Sequence, residues 1–184
     1  MTPGVLANAA MALAVLGEDL DAMIALVDRA LAFNRSFARG WYISGFLRLW
    51  AGEPDLAIEH GEMALRLSPR APAGDNALPI GTALFFGRRF EEAVPRLWIA
   101  IEAIPAFPNP YRCLAACYAH MGLLDEARAT ITRLRAITPE VIPKYLPPYR
   151  NPLHRNLLFS GLRLAMGETT SLNLLSDIDR GKSA

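Results

Sequence analysis

The sequence predicts an all-α solenoid, a row of helical hairpins stacked side by side, on three observations. Its 184 residues are 52% hydrophobic and rich in Ala, Leu and Arg, while Val, Thr and Ile are comparatively sparse, a bias toward helix over sheet. A segment with constant internal spacing recurs with a period near 34 residues, the length of a two-helix unit. Within its clearest copies Gly and Pro fall where a helix has to turn or stop. A chain of this length fits one domain, with a core that needs neither disulfides nor metal.

The first copy, about residues 4–37, is the most degenerate. Thr2-Pro3 supplies a helix start, and Met11, Gly17, Met23, Ala30 and Arg35 follow, with Met23 where later copies have Ala and Arg35 where they have Pro. The second copy, 38–73, is the clearest: Trp41, Gly45, Gly52, Ala57, Ala64 and Pro69. Gly45 and Ala57 lack bulk where two antiparallel helices approach, Gly52 can take the left-handed conformation that ends a helix, and Pro69 stops the second helix. Trp41 is expected to fill the space beside the next hairpin. The third copy, 74–107, carries Ala77, Gly81, Ala93, Ala100 and Pro105, but its turn from Gly87 to Ala93 is one residue longer. The fourth, 108–141, carries Tyr111, Ala115, Tyr118, Gly122, Ala127 and Pro139, with Leu134 in place of a small residue.

These marks resemble the tetratricopeptide repeat (TPR) over roughly residues 4 to 140. The resemblance implies pairs of antiparallel helices stacked into a right-handed superhelix whose first helices line a concave face. A hairpin buries only one side, so the terminal units need covering. After Pro139 the stretch Glu140–Pro152 is too rich in proline for a helix and too apolar for an ordinary linker; it is expected to pack on the solenoid. Asn151-Pro152 then opens a capping helix over 152–167 with an apolar stripe of Leu153, Leu157, Leu158, Leu162 and Ala165. The remainder, 168–184, reads as a polar, disordered tail.

A narrower likeness rests on Ala30–Asn34, Ala38–Tyr42, Gly52–His60, Leu67–Pro69 and Gly161-Leu-Arg. These resemble the C-terminal repeat region of bacterial, rhizobial-type proteins carrying a class III adenylate or guanylate cyclase domain, or a winged-helix regulatory domain, at their N-terminus. Neither domain has a matching segment here, so the resemblance implies a detached repeat module or a fragment and transfers no cyclase activity.

Composition narrows the function classes. Nineteen basic and eighteen acidic residues leave a net charge of +1, without the basic field of a nucleic-acid binder. No apolar run reaches membrane-spanning length, and the apolar stretch Val5–Leu16 has no preceding Lys or Arg to make it a signal peptide. Cys113 and Cys117 share one helix face and read as small buried residues, in keeping with a cytoplasmic location. His120 shares that face, but no fourth ligand completes a zinc site. The acidic pairs Glu91-Glu92 and Asp125-Glu126 begin second helices, where they favour the positive helix end. Neither a phosphate-binding loop nor a nucleophile elbow occurs. No cofactor is expected, and the chain reads as a non-catalytic scaffold.

The resemblance places Arg39, Tyr42, Phe46, Leu49 and Trp50 of the second copy on the concave face. From the third copy it adds Asp75, Leu78, Thr82, Phe85 and Phe86, and from the fourth Asn109, Arg112, Ala116 and His120. Aromatics and arginine are the commonest interface anchors, so a protein or peptide partner is expected there, self-association as a homodimer included. Two states of the groove stay open: exposed for a partner, or covered by its own rings or by residues 142–149 folding back.

Overall fold

The computed structural model describes residues 3–15, 19–69 and 73–168. Among them lie α1 (Pro3–Val15), α2 (Leu20–Phe33), α3 (Ala38–Ala51), α4 (Pro54–Leu67), α5 (Ala73–Phe86), α6 (Phe90–Ala103), α7 (Pro108–His120), α8 (Leu124–Ile137) and α9 (Pro152–Ala165), with no strand. The fold is an all-α solenoid. Residues 169–184, expected as a disordered tail, and Gly17 of the first copy fall outside the described residues.

The helices pack as four hairpins, α1/α2, α3/α4, α5/α6 and α7/α8, each resting on the next through its second helix. Ala30, Ala64 and Ala100 on the second helices are at most 2% exposed, as are Ala57, Ala93 and Ala127. Leu134, standing where the other copies have alanine, is also fully buried. Pro69, Pro105 and Pro139 each follow a second helix by two residues, after Leu67, Ala103 and Ile137.

The three later hairpins turn in one way. Gly52 and Gly122 take φ of +91° and +78°, and the next amide closes the turn: Glu53 N–H donates to Arg48 O and Leu123 N–H to Tyr118 O, both at 2.9 Å. These are helix stops made by a left-handed residue. In the third hairpin Arg89 N–H closes on Leu84 O at 2.9 Å, but the left-handed residue is Arg88, at φ +58°. The turn is therefore no longer than the others: Arg88 stands five residues before Ala93, as Gly52 does before Ala57, and Gly87 merely precedes it. A side chain in this conformation costs about 1 kcal/mol.

After α8 the chain does not leave the solenoid. Residues 139–151, in neither helix nor strand and bent at several points, run back across it as a strap. Arg150 N–H donates to Trp50 O at 2.8 Å, and the Arg150 guanidinium meets Asp21 at the start of α2 at 3.0 Å. Asn151 begins α9 by accepting the Leu153 N–H, as its sequence suggests. The helix then lies against α7 and, less extensively, α8. It does more than close the last hairpin. Asn151 lies against Gly52 at the end of α3, His154 stacks on Phe86 at the end of α5, and Gly161 meets Ala116 in α7. The expected stripe is therefore shifted: Leu153 is 68% exposed, and His154, at 5%, occupies the buried face.

Candidate functional site

The concave groove draws its wall from α3, α5 and α7, and the strap lies within it. Arg112 of α7 is 8% exposed. Its Nη2 donates to Glu140 O at 2.7 Å, its Nε to Val141 O at 3.0 Å and its Nη1 to Asn109 Oδ1 at 3.3 Å. No carboxylate of the described residues pairs with this guanidinium; burial lowers its pKa from the usual value, and two main-chain carbonyls take up its charge. At the far end of the strap, Tyr149 packs its ring edge on Phe86 at 5.0 Å between centroids. Burial pushes the Tyr149 phenol pKa upward.

The residues expected at the groove are not all brought together. Tyr42, Phe46, Leu49, Trp50, Leu78, Thr82 and Asn109 come together around a cavity of about 380 Å³. Within this set Tyr42, Phe46 and Leu78 are half-buried, whereas Leu49, Trp50 and Thr82 are at most 5% exposed. Phe86 and Arg112 are taken up by the chain itself, the first beneath Tyr149 and His154. Phe85 and His120 form a different cluster. Phe85 is fully buried and lies 5.8 Å from Phe90 between centroids. His120 stacks on Phe90 at 5.3 Å, and its Nε2 lies 2.9 Å from Leu157 O, which requires Nε2 to carry the proton. Arg39 is exposed at the rim, its guanidinium 4.9 Å above the Tyr42 ring. The Asp75 side chain is outside those described.

Solved structures identify the architecture. The TPR protein YrrB, described as having an unusual peptide-binding site, is 23% identical over 94% of this chain and 89% of its own, with a TM-score of 0.60. TTC0263, a thermophilic TPR protein in Thermus thermophilus, is 20% identical over 97% and 98%, TM-score 0.63. MamA, residues 41 to the end, from Desulfovibrio magneticus RS-1, is 15% identical over 99% and 97%, TM-score 0.65. The fold is that of the tetratricopeptide-repeat proteins. No family model and no curated protein matches the sequence.

The TPR arrangement explains what the sequence pattern missed. The cavity also takes Met11, Ile104, Phe107, Cys113 and Leu158, residues of loops or of other helices that no within-copy spacing brings together. On the opposite side of α3 a polar cluster borders a cavity of about 560 Å³ between α2 and α4. Arg48 bridges Asp28 at 2.8 Å and Glu53 at 3.1 Å, and the buried Ser44 hydroxyl lies 2.9 Å from His60 Nδ1. Burial, followed by the charge of Arg48, lowers the His60 pKa. Trp41 belongs here and not beside the next hairpin: its indole N–H donates to Arg35 O at 2.8 Å, in the loop before α3, and its ring meets His60 edge-on. Signal for Arg48–Asp28 is absent from the repeat pattern because the partners sit in different copies.

The other chemistry is muted. Cys113 and Cys117 are at most 4% exposed, and burial pushes the Cys113 thiol up to about 12, a hydrogen bond with Thr82 opposing it. Among the described residues no group of His, Cys, Asp or Glu can hold a metal ion, and no helix is long and apolar enough to cross a membrane.

Proposed function

We propose that this chain is a non-catalytic protein-interaction scaffold that takes a non-helical, apolar stretch of a protein partner into its concave groove. One observation carries the reading: the groove holds a non-helical segment already, the chain's own strap. The contacts that hold it are ones a foreign peptide can make. Arg112 grips two main-chain carbonyls, Trp50 O takes a main-chain N–H, and Phe86 takes an aromatic ring. Such main-chain recognition is largely independent of side-chain sequence. A tethered occupant acts at an effective concentration on the order of millimolar, so a partner binds by displacing the strap.

The test is a labelled peptide with the sequence of residues 140–150, titrated into the intact chain and into Tyr149→Ala. Loss of the half-buried ring weakens the strap by about 2 kcal/mol, which is about 30-fold. Peptide affinity is expected to rise by that order in the variant. Equal or absent binding in both chains refutes the reading. Trp50→Ala is not a clean probe of the groove, because a side chain 5% exposed cannot be truncated without loss of core packing.

A second reading, a regulatory repeat module of a cyclase or a transcriptional regulator, is favoured by a different surface. Phe33 and Leu67, the last residues of α2 and α4, are 74% and 37% exposed. Two exposed apolar side chains at matched helix ends suit the face of a neighbouring domain.

A further inference from the structure

With the strap in place, the groove retains the cavity of about 380 Å³. Leu146, Pro147 and Tyr149 of the strap form one wall, and α3 and α5 form the opposite one. Ile104 and Phe107, 45% and 38% exposed, line it toward solvent. None of the described side chains around it is charged, and five are aromatic: Tyr42, Phe46, Trp50, Phe107 and Tyr149. Its polar groups are few and convergent. Thr82 is 5% exposed, and Asn109 turns its Oδ1 to Arg112, which leaves the amide nitrogen as its donor end.

We propose that this cavity is a binding site for an uncharged aromatic small molecule of two or three rings carrying a single hydroxyl or carbonyl group. The volume lies within the usual range of small-molecule sites, about 300–1,000 Å³, and an apolar cavity of about 150 Å³ already accommodates benzene. Aromatic walls suit a flat ring in edge or offset contact. A charged ligand would lose its hydration without gaining a counter-ion. Thr82 and Asn109 supply the hydrogen bonds that orient the one polar group. The site stands apart from the peptide reading, since the small molecule needs the strap seated whereas a peptide needs it displaced.

The experiment titrates the intact chain with N-phenyl-1-naphthylamine, whose fluorescence rises in apolar surroundings, and with the anionic anilinonaphthalene sulfonate. Saturable one-site binding of the neutral probe, at least 10-fold tighter than the sulfonate, is expected. Leu78→Trp, which fills the cavity from α5, should weaken the neutral probe at least 10-fold with helicity retained; if that variant loses helicity, Leu146→Trp fills the cavity from the strap instead. Tyr149→Ala should weaken this probe while strengthening the peptide. Absence of saturable binding, equal affinity for the sulfonate, or unchanged affinity in the folded filled variant overturns the proposal.

Discussion

Gly161→Ala tests how α9 is held. A Cβ built on Gly161 would lie 2.6 Å from the Ala116 Cβ, 2.9 Å from its Cα and 2.8 Å from His120 Nε2. Two of these neighbours belong to an alanine on a packed helix, with no rotamer through which to withdraw. The helices must separate, and overpacking of this kind costs about 1–3 kcal/mol. The His120 hydrogen bond to Leu157 O is strained with it, adding about 1 kcal/mol. Against this, alanine in place of glycine inside a helix gains about 1 kcal/mol. The net is a destabilisation of about 2 kcal/mol. For a domain of this size, that lowers the melting temperature by roughly 4–8 °C. Thermal unfolding followed by circular dichroism measures it, with amide exchange in 152–165 reporting whether α9 loosens first. A variant as stable as the parent, or more stable, would show that α9 does not lie this close to α7.

Two further predictions follow from burial. At pH 8 the native chain should leave both Cys113 and Cys117 unmodified by a thiol reagent, and unfolding should release two reactive thiols, because burial raises the pKa of each and excludes the reagent; rapid modification of the native chain contradicts this. Burial also lowers the pKa of His154 and His60 from the usual value near 6.5, so below that pH the unfolded chain binds more protons than the folded one. Stability is then full above about pH 6.5 and falls with acidification, and His154→Phe, which keeps a ring against Phe86, should lessen the fall in melting temperature between pH 7.5 and pH 5. A chain that melts higher at pH 5 contradicts the reasoning.

Local marks were legible in the sequence where a backbone position admits few residues. Gly52 and Gly122 announce their turns through the left-handed conformation, and Ala57, Ala93 and Ala127 announce the close approach of paired helices. Arg88 shows the limit of such a signal: the turn tolerates a strained arginine, and the nearby Gly87 misleads by one position. Helix α9 was readable from Asn151-Pro152 and its leucines, but its rotation was not, since it depends on His154 finding Phe86, 68 positions earlier in the chain. The concave side chains were assigned by helix face alone. That brings seven of them around one cavity, yet it cannot tell that Arg112 would be spent on carbonyls of the strap or that Phe85 would turn toward α6.

The strap and α9 touch every hairpin in turn: Asp21 in the first, Trp50 and Gly52 in the second, Phe86 in the third, Arg112 and Ala116 in the fourth. Stacked repeats ordinarily communicate only with their neighbours, and can fray from one end while the other stays folded. Here residues some 130 positions apart are joined directly, so the loss of any hairpin is felt by all. Synthesis runs from the first hairpin to the last, and the residues that join them follow the fourth. Until residues 140–165 have been made, the four hairpins can stack as a row through their own contacts, but the ties between distant hairpins are absent.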